Sequence, residues 1–200
     1  MTPLWIVLGV VALIALSFVV SYNRFVRQRN LVQESWRQVD VELTRRHDLI
    51  PNLVETVKGY AAHERTVLEA VTAARTQAQA ATTGGAGPAG QAQAENALVR
   101  SLGGLFAVAE NYPTLKADSN FLALQRQLGE TEDRIAAGRR FYNGNVRALN
   151  TRIEAFPSSI VAGVGHFAKA DYFQTDDPAV RAPVTVDFGS IGSAGSAPTA

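Results

Sequence analysis

The first 23 residues constrain this chain more than any other stretch. Leu4 to Val20 reads LWIVLGVVALIALSFVV, 17 apolar or small residues in a row, and no charged side chain precedes Arg24. As a helix this run is roughly 25 Å long, slightly short of a ~30 Å hydrocarbon core. Ser21 and Tyr22 close most of the gap, and a small mismatch is tolerated. Trp5 and Tyr22 fall at the two ends, where interfacial aromatics sit. A cleaved signal peptide is the rival. It requires a basic start, which Met1-Thr2-Pro3 lacks, and Ala15-Leu16-Ser17 is a poor cleavage site inside the apolar run. The expectation is an uncleaved anchor over residues 1–23 that holds the chain in a lipid bilayer through Leu4 to Val20. Arg24, Arg27 and Arg29 follow the span at once. The positive-inside rule then places the bulk in the cytoplasm, with a short N-terminus outside the cell membrane.

Past the anchor, helical periodicity dominates. Val32, Trp36, Val39, Leu43, Ile50, Leu53, Val57 and Tyr60 recur at steps of three and four. Gly59 is a candidate C-cap, and a second helix is expected from near His63, carrying Val67, Leu68, Val71, Ala74 and Arg75. One unbroken helix from Asn30 to Ala81 is the alternative. TTGGAGPAG, Thr82 to Gly90, reads as a flexible loop. A third helix follows with Leu98, Leu102, Leu105, Phe106 and Ala109 on one face, although Gly103 and Gly104 weaken its middle. After Tyr112-Pro113 the chain turns, and Asp118 or Ser119 is placed to cap a long fourth helix that ends at Phe156-Pro157. Ile160, Val161, Val164 and Phe167 suggest a short further helix. The fold class is therefore all-α: a transmembrane helix followed by an up-and-down four-helix bundle over residues 24–173. Residues 174–200 are rich in Ala, Gly, Ser, Pro and Thr and are expected to be disordered. Val184, Val186 and Phe188 alternate within that tail in a strand-like pattern, suited to adding to a partner's sheet edge.

The stretch RRHDLIPNLVETVKGY, Arg45 to Tyr60, concentrates charge around a proline. Pro51 removes the hydrogen bond to the carbonyl of His47 and costs about 3 kcal/mol in an exposed helix interior. The apolar stripe keeps its phase across it, since Leu43, Ile50 and Val57 are seven apart. A kink is expected here; Asp48 as a fresh N-cap is the structural alternative. Arg46 falls on the stripe between Val39 and Leu53. Drift of the stripe predicts that it snorkels outward. The sharper alternative is an arginine buried inside the bundle and paired with Glu110, Glu130 or Glu132.

The sequence offers no candidate for catalysis. His47 and Asp48 are neighbours and point about 100° apart on a helix. His63 and His166 stand at no ligand spacing from His47, and neither Glu-x-x-His nor His-Glu-x-x-His occurs. There is no nucleophile elbow and no phosphate-binding loop. Glu130, Glu132 and Asp133 read as a solvated face. The chain has no cysteine, which removes thiolate sites. Its 19 basic and 18 acidic side chains nearly balance, so no general attraction to nucleic acid is expected. No catalytic, cofactor-binding or metal-binding residue is assigned, and no enzyme is expected.

YNRFVRQRN, SWRQVDVELTRRHDLIPNLVETVKGYAAHE, FAVAENYPTLKADSNFLALQRQL, TEDRIAAGRRFYN and FPSSIVAG together resemble the LemA family. The resemblance runs from about Tyr22 to Phe173, in order, and its most specific parts are Arg45 to Leu53 and Arg139 to Asn143. It implies a bacterial membrane protein with one span and a cytoplasmic helical bundle. It implies no known chemistry and no catalytic residues to carry over. Its motif residues Pro51, Tyr60, Tyr112, Pro113 and Asn143 serve either the fold or a partner surface. The expected function is a membrane-tethered scaffold or adaptor with an unknown protein partner or further copies of itself. An accessory subunit of a membrane enzyme such as a peptidase is the alternative.

Overall fold

The computed structural model describes residues 2–174. Its elements are α1 (Thr2–Tyr60), α2 (Arg65–Thr83), α3 (Gly87–Glu110), α4 (Pro113–Lys116), α5 (Ser119–Glu154) and α6 (Ser158–Val164). The fold is all-α. The apolar segment and the first bundle helix are one 59-residue helix, with no break at residue 23. It is roughly 90 Å long at the usual rise. Nothing between Val20 and Asn30 breaks a helix, so hydrogen bonding propagates from the apolar run into the bundle. The large apolar residues of that run stand exposed, from 71% at Trp5 to 45% at Val20, except Phe18, which is half-buried against the bundle. Among the described residues this is the one helix long and apolar enough to cross a membrane.

The bundle consists of α1, α2, α3 and α5. α1 packs along α5, α2 packs against α3, and α1 meets α2. The expected reversal after Tyr60 is present: residues 61–64 form a turn, closed by Glu64 N–H donating to the Ala61 carbonyl at 3.1 Å. One helix from Asn30 to Ala81 is thereby excluded, and Gly59 lies inside the last turn of α1 rather than past it. Pro51 lies inside α1 without a loop or a new cap, so Asp48 is not an N-cap.

The glycine-rich stretch is a correction. α2 continues to Thr83 and α3 begins at Gly87, so the expected nine-residue loop contracts to a three-residue turn. Gly85 and Gly87 take φ of 66° and 71°, values that L side chains avoid. Pro88 sits in the first turn of α3, where its missing N–H has no partner to lose. Gly103 and Gly104 lie within α3 without interrupting it.

α5 follows expectation closely. The Asp118 side chain accepts from the N–H groups of Asn120 and Phe121, both at 2.9 Å, and caps the 36-residue helix. The helix ends at Glu154, ahead of Phe156-Pro157. α6 is the expected short helix, but of the expected apolar set only Val161 and, just past the helix, Phe167 are buried. Ile160 and Val164 are 58% and 64% exposed. Beyond α6 the chain runs back along α5 without helix to Gln174. The strand-like pattern at Val184, Val186 and Phe188 lies outside the described residues, as does the rest of residues 175–200.

The interior is two apolar cores rather than one. The core farther from the apolar segment holds Ile50, Leu53 and Val57 with Val71, Leu98, Leu105 and Leu128. The nearer core holds Phe25, Val39 and Leu43 with Ile135, Tyr142, Val146 and Phe167. On α1 the division falls between Leu43 and Ile50, on α3 between Ala92 and Leu98, and on α5 between Leu128 and Ile135. Each fully buried Leu, Ile or Phe contributes about 1.5–3 kcal/mol. Gly138 lets α1 and α5 approach in the nearer core, since a Cβ there would stand 3.1 Å from Val39 Cγ2.

Candidate functional site

The layer between the two cores is polar. Arg46 stands on the stripe of α1 and is 2% exposed, so it does not snorkel. Its fork reaches two helices at once. Nη1 donates to both carboxylate oxygens of Glu132 on α5, at 2.8 and 3.0 Å. Nη2 donates to Glu95 Oε2 on α3. The reason is geometric: 46 falls in the heptad series of Val32, Val39 and Leu53, so its side chain is directed at the bundle axis. A charge there requires partners, and α3 and α5 supply them.

His47, the next residue, is also buried and faces α3. Its Nε2 stands 2.9 Å from Glu95 Oε1. A carboxylate only accepts, so Nε2 carries the hydrogen. Gln91, one turn before Glu95, donates to Glu95 Oε1 at 3.2 Å and to the Thr82 hydroxyl. Glu95 therefore accepts from an arginine, a histidine and a glutamine. Burial pushes its carboxyl up, but the His47 hydrogen bond and the Arg46 charge outweigh burial and hold it below its ordinary value.

Arg75 of α2 completes the layer. Its Nε donates to the main-chain oxygen of His47 at 2.7 Å. In an uninterrupted helix that oxygen would receive the N–H of residue 51, but proline has none. The basic side chain of a neighbouring helix replaces the missing donor, and the proline is held in mid-helix.

Of the residues weighed from sequence, Glu132 is a partner of Arg46. Glu110 instead pairs with Lys116 at the surface. Glu130 and Asp133 are exposed, as expected of a solvated face. Asp48, His63 and His166 are exposed as well, and none joins His47. Among the described residues no group of three His, Asp or Glu is arranged to hold a metal ion. The partners that sequence reasoning missed are Glu95, Gln91 and Arg75. A usable signal existed for one of them: Glu95 lies three residues before Leu98 and three after Ala92, on the apolar face of α3. The Arg46 and Glu95 side chains are 2% and 4% exposed, whereas Glu132 is 39% exposed, so the layer is buried at its centre and reaches solvent at its α5 end. Its geometry fixes helix register.

The remaining motif residues also have partners within the chain. Tyr60 donates to Asp118 Oδ2 at 3.0 Å, and Tyr112 to Glu64 Oε1 at 3.4 Å, which ties the turns at the far end together. Asn143 donates to the Phe173 carbonyl at 2.9 Å and accepts from its N–H at 3.0 Å. Asn150 treats Ala170 the same way, both bonds 2.9 Å. Tyr142 donates to the Asp171 carbonyl at 2.7 Å, and burial, then the charge of Asp171, push its hydroxyl up to about 12. Residues 170–173 are thus strapped along α5. Trp36 packs edge-on against Phe173, with ring centres 5.3 Å apart, and Phe25 stacks on Phe167 at 4.8 Å.

An apolar N-terminal helix continuous with a four-helix bundle, keyed by a buried Arg–Glu–His layer, defines the class of this protein. The profile of the LemA family matches residues 35–188, and the chain belongs to that family. Among curated proteins it is similar to two magnetosome proteins of Paramagnetospirillum magneticum, MamQ 1 and MamQ 2. Each is 31% identical over 202 residues, covering 89% of this chain and 73% of the relative. Magnetosome protein MamQ of Magnetospirillum gryphiswaldense is 28% identical over 200 residues, with the same coverage.

Proposed function

We propose that this protein is a membrane-anchored scaffold or adaptor without chemistry of its own. Leu4 to Val20 spans the cell membrane once, the short N-terminus lies outside, and the bundle stands in the cytoplasm. The observation that carries this reading is the continuity of α1. One helix leaves the apolar segment and runs about 60 Å further as the spine of the bundle. A rigid rod of this kind holds the bundle surface at a set distance and orientation from the bilayer, which suits recruitment. The bundle also exposes large apolar side chains outside the anchor, among them Val41 at 65% and Phe141 at 56%. Such side chains are candidates for contact with a partner protein or a second copy. The curated relatives are named as magnetosome proteins, which is consistent with a role in organising a cellular structure.

Purification of the full chain in a mild detergent, with mass determination of the complex, tests the proposal. Self-association, or attachment to non-catalytic proteins that is lost in Val41→Glu or Phe141→Glu, is the expected result. A fixed-stoichiometry complex with a membrane enzyme such as a peptidase would replace it with an accessory-subunit role. A monomer that retains no partner under cross-linking would overturn it.

A further inference from the structure

Two grooves meet where α1 leaves its apolar segment. The first is an open groove of ≈ 710 Å³ between α1, α5 and α6, with Arg24, Arg147 and Arg152 in its lining alongside Ser17, Ser21 and Ser158. Every charged residue in this lining is basic. Among the described residues none of the three arginines has a carboxylate within 4.0 Å; the nearby acid, Glu154, is engaged by Lys169 at 2.5 Å. The Arg152 guanidinium lies 6.0 Å over the Phe25 ring, which fixes its position. The second groove, ≈ 470 Å³, is almost wholly apolar and includes Val10, Leu13, Ile14, Phe18, Ile160 and Val161. Ser17, Ser21 and Ser158 line both, so the two are continuous.

We infer that this continuous groove binds one phospholipid with an anionic headgroup, its phosphate among Arg24, Arg147 and Arg152 and an acyl chain along Val10 to Phe18. The inference rests on the membrane reading of Leu4 to Val20 given above. Length supports it. From Ser21 back to Val10 the helix rises roughly 17 Å, close to one leaflet's half of a ~30 Å hydrocarbon core. Charge supports it, because the basic end lies one turn past Val20, at headgroup depth, and the apolar end lies within the span. The surroundings agree as well. Phe156, Ile160 and Val164 are 82%, 58% and 64% exposed beside the same junction, which seats α6 in the interfacial layer. Three guanidiniums on two helices converge on one phosphate, for which their planar donors are suited.

The test uses the delipidated full chain in neutral detergent micelles, titrated with phosphatidylglycerol or phosphatidylcholine and followed by native mass spectrometry. Phosphatidylglycerol is expected to be retained first, as a single bound lipid. Arg147→Gln, at an exposed position, is expected to weaken that retention about fivefold, and Arg24→Gln with Arg147→Gln and Arg152→Gln about a hundredfold. Ala148→Trp, which fills the groove and leaves all three charges, is expected to abolish it. Equal retention of the two lipids, or full retention in Ala148→Trp, would overturn the site in favour of diffuse attraction. Competition by free glycerol phosphate as strong as by phosphatidylglycerol would overturn the acyl half. Failure of the membrane reading shows differently: the chain would leave the micelle and the membrane fraction altogether.

Discussion

Arg75 Nε donates to the main-chain oxygen of His47 at 2.7 Å, and that oxygen is the acceptor to which Pro51 brings no N–H. Proline and arginine, on different helices, act as one unit. Their coupling is measurable. Arg75→Ala is expected to cost about 1–2 kcal/mol, since it removes a charged donor from a partly buried carbonyl. In a Pro51→Ala background the restored N–H meets the same oxygen, and the cost is expected to shrink by about 1 kcal/mol. Denaturant unfolding of the four chains in mild detergent closes the cycle, and equal costs in both backgrounds would show that the two residues act independently.

Arg46 supplies a larger effect. Arg46→Ala leaves Glu95, 3% exposed, without its cation and removes the donor of two bonds to Glu132. A loss of about 3–5 kcal/mol is expected. Replacing Arg46, His47, Glu95 and Glu132 together by apolar residues of similar volume is expected to recover most of it, because the desolvation cost disappears with the charges. If the single substitution costs under about 1 kcal/mol, the layer does not hold the bundle.

The same layer confers acid sensitivity. Glu95 is held below its ordinary value in the folded chain, so the unfolded chain binds its proton more readily. Its contribution is complete above about pH 4.5 and is lost as pH falls through the folded value. Wild type should therefore lose melting temperature steeply below about pH 4.5. Glu95→Gln should start lower and show a flatter acid limb. Asp118, held down by the Phe121 N–H and then by Tyr60, adds a further acid-sensitive component that the variant retains. Parallel acid limbs in the two chains would remove Glu95 as the cause.

These features differ in how far the sequence exposes them. Asp118 caps its own helix two and three residues on, so the start of α5 is written locally, and Phe156-Pro157 marks its end in the same way. The phase of the stripe across Pro51 is local too, and the continuous helix agrees with it. The partners of Arg46 are not local: Glu95 is 49 residues away and Glu132 is 86. Stripe drift accounts for an arginine at a core position from the sequence alone, and the convergence of α1, α3 and α5 on it is visible only in the folded chain. The stretch Thr82 to Gly90 misleads because composition measures glycine content and not conformation. Gly85 and Gly87 are spent on two left-handed residues of one tight turn. Composition divides the apolar segment from the first bundle helix, whereas backbone hydrogen bonding does not change at that boundary.

Orientation is open to direct measurement, and the absence of cysteine makes it clean. Arg24, Arg27 and Arg29 flank one side of the span, and Met1 to Pro3 on the other side carry no basic side chain. With single cysteines at Thr2 or Ser196, an impermeant maleimide applied to intact cells should label position 2 and spare position 196 until the cells are broken. The reverse pattern would invert the proposed topology.

The strap beside α5 gives the last expectation. Asn143 and Asn150 are seven residues apart, so they share one face of α5 about 10.5 Å from each other along the axis. Ala170 and Phe173 are three extended residues apart, about 10 Å, and the two amide clamps therefore fall in register with the segment they hold. Each clamp satisfies both the N–H and the carbonyl of one strap residue. An aspartate has the same shape but no N–H to donate. Asn150→Asp is thus expected to break the bond to the Ala170 carbonyl, set a carboxylate against it, and cost about 1–3 kcal/mol. Amide exchange at Ala170 and Phe173 should accelerate together if the strap releases as a unit. A chain ended at Ala168 should fall further below one ended at Gln174, because Phe173, 3% exposed, leaves Trp36 and Tyr142 uncovered when it is removed. Equal melting temperatures for those two chains would mean that the strap rests on the bundle without supporting it.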